Sequence, residues 1–166
     1  MPPEPIAVEV VALLVATGQT LATAESLTGG LIGATITAVP GASKAYLGGL
    51  ITYATELKAG LAGVPADVLE QFGPVSPQTA EAMAAGVRQV TGADWAITVT
   101  GVAGPDPQDG HQPGEVWLGL SGPGGVRSVS RMDLTGSRDQ IRSATVSAAL
   151  AELFKMLREF GASTNG

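Results

Sequence analysis

Hydrophobic positions recur with a helical period over residues 5–17, where Ile6, Val10, Leu13 and Leu14 fall on one side and Gly18 offers a C-cap. A short apolar run at 20–24 reads as a strand. Residues 28–38 read as a helix stopped by Pro40-Gly41. Residues 46–55, "YLGGLITYAT", predict a strand, followed by short helices over 56–63 and 65–73, the second with Pro65 at its start. Ser76-Pro77 opens a strong helix, "PQTAEAMAAGVRQVTG", with Ser76 as N-cap. Residues 95–101, "WAITVTG", predict a buried strand, and 102–114 a long Pro/Gly/Asp loop. "EVWLGLSG" and "VRSVSRMDL" alternate and predict a hairpin through "GPGG". A final helix spans about 137–160, capped by Ser137. Helices and strands that alternate in this way predict a sheet covered on both faces, and the late hairpin makes that sheet mixed.

Composition sharpens this picture. The chain has 166 residues, 45% hydrophobic and only 14% charged, enough for one domain with a real core. Aromatic residues are scarce at 4%, so that core is built mainly from Ala, Val, Leu and Ile. The net charge of −6 with nine scattered basic residues argues against a nucleic-acid surface. Cysteine is absent, which excludes disulfides, thiol nucleophiles and Cys-based metal sites. His111 is the single histidine, so a His-rich metal site is excluded as well. The N-terminus carries neither a secretory leader nor a membrane span, and a cytoplasmic protein is expected.

Four stretches carry candidate chemistry. In "ATAESLTGGLIG" a strand runs through a Ser-Leu-Thr-Gly-Gly turn into a helix. Backbone amides at a helix start favour an anion, a phosphate or a developing oxyanion. Ser26 is therefore a candidate nucleophile; the competing reading is that Ser26 or Thr28 simply caps the helix. A serine needs a base. "TYATELK" offers Lys58, whose pKa would fall in a desolvated pocket, with Tyr53 to relay or orient a proton. A surface lysine is the other reading, and Lys44 is a competitor. The third stretch, "TVTGVAGPDPQDG", ends a strand with a hydroxyl at Thr100 and close backbone approaches at Gly101 and Gly104, either a substrate-holding loop or an ordinary turn. The fourth, "GSRDQIR", places Arg138 and Arg142 four apart on one helix, as an anion clamp or a solvated face. Asp106, Asp109, Asp133 and Asp139 show no metal-ligand spacing and read as turn and cap residues.

Taken in order, "TAESLTGGLIGATITAVPGASKAYLGGLITYATELKAGLAGV", "GPVSPQTAEAMAAGVRQ" and "VTGVAGPDPQDGHQPGEVWLGL" resemble the CinA C-terminal domain family, which includes nicotinamide mononucleotide amidohydrolases. The similarity covers about residues 6–160. It implies a single stand-alone domain over residues 1–166 and an α/β fold, a three-layer α/β/α sandwich around a mixed, mostly parallel β-sheet. The activity it implies is hydrolysis of nicotinamide mononucleotide to nicotinic acid mononucleotide and ammonia, with no cofactor and no metal. The family's "AES-x-TGG" serine is Ser26, and its "TY-x-x-x-x-K" tyrosine and lysine are Tyr53 and Lys58. Substrate binding falls by the same resemblance to Thr28, Gly29, Gly30, Gly41, Thr55, Thr100, Gly101, Ala103, Gly104, Arg138 and Arg142. In the implied mechanism Ser26 attacks the carboxamide, Lys58 takes its proton, Tyr53 helps protonate the departing ammonia, and amides from Leu27 to Gly30 bind the oxyanion. Three positions depart from the family pattern: Leu27 stands where Cys is usual, Thr55 where Asn is common, and Gln112 where a Lys precedes the Pro-Gly segment. The expected partner is the small-molecule substrate, with no nucleic acid or membrane, and the chain is expected to self-associate. Rival readings are a non-catalytic pyridine-nucleotide-binding module, a competence- or DNA-damage-associated interaction domain, and an amidase for a related small amide.

Overall fold

Residue size alternates along the central strands, and that alternation decides which helices cover which face. A computed structural model describes residues 2–165. Helix α1 (Pro5–Thr17) leads into β1 (Leu21–Glu25), α2 (Leu31–Thr37), β2 (Tyr46–Ile51), α3 (Thr55–Gly60) and α4 (Ala66–Phe72). Then come α5 (Pro77–Thr91), β3 (Trp95–Gly101), β4 (Glu115–Ser121), β5 (Arg127–Asp133) and α6 (Arg138–Thr164). The five strands form one sheet in the order β2-β1-β3-β4-β5. β1 pairs parallel with β2 and β3, whereas β4 is antiparallel to both β3 and β5. Four strands thus run one way and β4 alone opposes them, as the hairpin pattern predicts.

On β3, Trp95, Ile97 and Val99 enter a core shared with Val10 and Leu14 of α1, Ile32 and Ile36 of α2, and Leu150 and Leu153 of α6. The intervening Ala96 faces the other way, joining Ala22 and Ala24 of β1 against Met83, Ala84 and Val87 of α5. Small side chains on this second face let α5 sit close to the sheet. Thr98 Oγ1 donates to the Ala80 carbonyl at 2.9 Å, and a Cβ on Gly119 would collide with that same carbonyl. The result is helices on both faces of a mixed sheet.

Several ends follow their sequence signals. Gly18 closes α1 with φ 67, Ser76 accepts from the Thr79 amide, and Ser137 and Gln140 form a reciprocal capping box. Two ends differ. The helix expected over 28–38 begins only at Leu31, and the strand expected over 46–55 ends at Ile51. Both differences lie where the sheet's C-terminal edge opens, and both shape the site. No helix among the described residues is long and apolar enough to cross a membrane.

Candidate active site

The turn after β1 is organised by a residue that the sequence reading passed over. Glu25, the last residue of β1, is 2% exposed. Its Oε1 accepts from Thr28 Oγ1 at 2.7 Å, the Gly30 amide at 3.2 Å and the Ile32 amide at 2.8 Å, while Oε2 accepts from the Gly33 amide at 3.0 Å. The start of α2 therefore already holds an anion, the protein's own carboxylate. The competing reading, in which Ser26 or Thr28 caps the helix, does not hold, since no side chain caps α2 at Gly30. Thr28 donates to Glu25, and Ser26 is free for other work. Glu25→Ala would orphan these donors at a buried helix end. The expected cost is roughly 3 kcal/mol, or a Tm lower by about 6–12 °C, read by thermal denaturation; an unchanged Tm would contradict this account of the turn.

Ser26 itself is 7% exposed. Its amide still bonds the Val99 carbonyl at 3.1 Å, so the nucleophile candidate is anchored to β3. Lys58 comes from α3 and lies 2% exposed, with Nζ 3.2 Å from Ser26 Oγ and 2.7 Å from the Thr52 carbonyl. The chain leaves the sheet at Thr52 so that this carbonyl turns inward to the amine. Burial lowers the Lys58 pKa from 10.5 to about 8, against a small opposing pull from the Glu56 carboxylate. An amine with one N–H fixed on Thr52 and its nitrogen beside a serine hydroxyl can accept the serine proton when neutral. Lys44, the competing lysine, stands exposed on a 3-10 turn beside Val8 and Val15, outside this site.

Ser26 and Lys58 open onto a cavity of about 300 Å³, a volume at the lower end for small-molecule sites. Of the other predicted residues, Tyr53, Thr55, Thr100, Gly101, Ala103, Gly104 and Arg138 also line it. Added to these are Leu27, Pro74, Val75, Val102 and the segment Pro105 to Gln108. Asp106, read from the sequence as a turn residue, thus faces the cavity with Arg138. Thr100 Oγ1 donates to the Pro74 carbonyl at 2.6 Å, so its hydroxyl joins two walls and keeps only acceptor capacity for a ligand. Arg138 reaches across from α6, with Nη1 2.7 Å from the Gly104 carbonyl and Nη2 3.2 Å from Tyr53 Oη.

Other predicted placements need correction. Tyr53 is 60% exposed and lines the cavity, and its hydroxyl accepts from Arg138, with no hydrogen bond to Ser26 or Lys58 among the described residues. Gly29 and Gly30 do not line the cavity, and Thr28 turns its side chain to Glu25, which leaves only its backbone N–H next to the lining residue Leu27. Gly41, with φ 88, starts the 3-10 turn at Ala42–Lys44 and borders a separate hollow with Pro40 and Leu47. Arg142 donates through Nε to the Leu27 carbonyl at 3.0 Å and through Nη2 to the Thr28 carbonyl at 3.2 Å, so it braces the Ser26 turn from outside the cavity. Gln112 is exposed beyond the lining segment, whereas Thr55 and Leu27, the other two departures from the family pattern, face the cavity. The candidate oxyanion amides narrow too. Gly29 N donates to the Ser26 carbonyl and Gly30 N to Glu25, and among the described residues Leu27 N and Thr28 N have no acceptor.

The family model for the CinA C-terminal domain matches residues 3–157. The chain belongs to this family. A putative competence-damage inducible protein of Halalkalibacterium halodurans is 43% identical over 157 residues, which is 95% of this chain and 37% of that protein. A CinA-like protein of Frankia casuarinae is 48% identical over 89% of this chain and 34% of its own length. The CinA domain described here thus spans about a third of these curated relatives. Among solved structures, a CinA superfamily protein from Klebsiella pneumoniae superposes with a TM-score of 0.89 at 32% identity, covering 93% of this chain and 96% of that one. A competence/damage inducible protein from Agrobacterium tumefaciens gives 0.85 at 33% identity, covering 94% and 98%. The CinA fold is therefore shared nearly end to end.

Proposed function

We propose that this CinA domain is an amidohydrolase that converts nicotinamide mononucleotide and water to nicotinic acid mononucleotide and ammonia through a serine ester. The observation that carries the reading is the buried Lys58 amine 3.2 Å from Ser26 Oγ at the floor of a small-molecule cavity. Neutral Lys58 takes the Ser26 proton as Oγ attacks the carboxamide carbon. The tetrahedral oxyanion lies against the Leu27 and Thr28 amides. Lys58, now an ammonium, returns that proton to the departing nitrogen, and ammonia leaves with an acyl ester on Ser26. Water then attacks the ester, Lys58 accepts its proton and hands it to Ser26 Oγ, and the carboxylate product is released. Arg138 is the cation on the cavity wall suited to the substrate phosphate, and binding energy gathered there positions the amide. Ser26, Lys58 and Arg138 thus divide attack, proton transfer and anchoring among them.

The lysine sets a pH signature. Its pKa of about 8 leaves only about a tenth of the amine neutral at pH 7. kcat/KM for ammonia release is expected to climb about tenfold per pH unit below that value and to level off above it. A profile flat from pH 6 to 9 would contradict Lys58 as the base.

A further inference from the structure

The Ser26 turn is gripped from two sides by charged groups with opposite tasks. Glu25 collects its donors, and Arg142 of α6 collects two of its acceptors, the Leu27 and Thr28 carbonyls. What remains are the Leu27 and Thr28 amides, and their directions follow from covalent geometry. A trans peptide points its N–H opposite to its C=O. The Leu27 carbonyl and the Thr28 N–H belong to one peptide unit, so the Arg142 hydrogen bond at 3.0 Å turns the Thr28 N–H away from the guanidinium. The Ser26 carbonyl and the Leu27 N–H share the preceding unit. Because that carbonyl faces into the turn to accept from Gly29, the Leu27 N–H faces out of it. A guanidinium on a peptide oxygen also draws electron density from the unit and makes its N–H a stronger donor.

We infer that Arg142 is a positioning residue for the oxyanion-binding amides, orienting and polarising the peptide between Leu27 and Thr28 without touching substrate. The inference rests on the serine acyl-transfer reading of the site. It separates the two arginines of α6: Arg138 faces the cavity, and Arg142 acts through the backbone. Two carbonyls are held by one planar fork, so lysine, with a single ammonium, cannot reproduce the grip.

The test uses diisopropyl fluorophosphate, whose phosphoryl oxygen needs the same amides but whose reaction needs no particular amide substrate. Ser26 Oγ bonds to phosphorus, the P–F bond breaks, fluoride departs and the hydroxyl proton passes to Lys58. Labelling of Ser26 is followed by mass spectrometry in the full chain, normalised to the folded fraction, across pH. For Arg142→Gln the rate constant is expected to fall roughly 100-fold, and for Arg142→Lys roughly tenfold. The pH midpoint set by Lys58 is expected to stay where it is in wild type. A merely structural role would lower Tm without moving this normalised rate. Wild-type labelling rates in Arg142→Gln would overturn the inference; should that variant not fold, wild-type rates in Arg142→Lys would do so. If wild type is labelled at Ser26 yet leaves nicotinamide mononucleotide intact, the substrate reading falls and the ratio of labelling rates still decides the role of Arg142. Failure of wild type to label at Ser26 would overturn both.

Discussion

Ser26→Ala is expected to lower kcat for ammonia release by roughly 10⁴-fold or more, because the acyl-enzyme route disappears with its nucleophile. The fold should be nearly untouched. Ser26 Oγ takes part in one hydrogen bond between described residues, that with Lys58, and the serine backbone is held independently by the Val99 carbonyl. Binding of nicotinamide mononucleotide should persist within a few-fold, since Arg138 and the 100–108 walls remain. Steady-state kinetics with isothermal calorimetry separates the two effects. Turnover within tenfold of wild type would remove Ser26 from the chemistry.

Lys58→Met is expected to do two opposite things. Activity should fall by roughly 10³-fold or more, because neither the serine nor the leaving nitrogen then has a proton partner. Stability should hold or rise. The folded-state pKa of about 8 lies below the ordinary 10.5, so below pH 8 the amine is charged in both states and burial penalises the folded one. The penalty amounts to roughly 3 kcal/mol and fades as pH rises from about 8 to 10.5, where the unfolded chain binds more protons. Wild-type stability is therefore expected to increase across that window. Methionine fills a similar volume without the charge, offset by the lost bond to Thr52. At pH 7 the variant should melt no lower than wild type, and the gap should close toward pH 10. A Tm lower by many degrees at pH 7 would mean that Lys58 is held for structure rather than for catalysis.

Much of this architecture is legible in the sequence because the signals are local. Gly18, Ser76 and Ser137 mark helix ends by backbone chemistry that needs no tertiary context. The 95–101 strand and the hairpin through "GPGG" read directly from alternation and turn residues. The Ser26–Lys58 pair was reachable through the family resemblance, and the structure adds what spacing lacks, a distance and a burial. Glu25 has no local signal of its role in its residue type, because a glutamate next to a serine looks like any polar residue at a strand end. The usable signal is its place at the end of an apolar run, ahead of two glycines, where a carboxylate has no solvent to meet. Arg138 and Arg142 looked alike because an i, i+4 pair shares a helix face. Long side chains diverge, however, and one reaches the cavity rim while the other reaches the back of the turn. Gly41 belongs to a motif contiguous in sequence with Ser26 but carried by its 3-10 turn to a different hollow. The strand expected to continue to residue 55 ends at Ile51, where its partner β1 also ends, and the Thr52 carbonyl just beyond it accepts from Lys58, a tertiary contact that no propensity encodes.

The measurement that tests the central claim most directly is release of ammonia and nicotinic acid mononucleotide from nicotinamide mononucleotide by the purified protein at pH 8.5, about half a unit above the Lys58 pKa. Stoichiometric formation of both products, lost in Ser26→Ala, is the predicted result. A protein that binds the nucleotide by calorimetry but forms neither product would contradict the account and leave the cavity as a pyridine-nucleotide-binding site without chemistry.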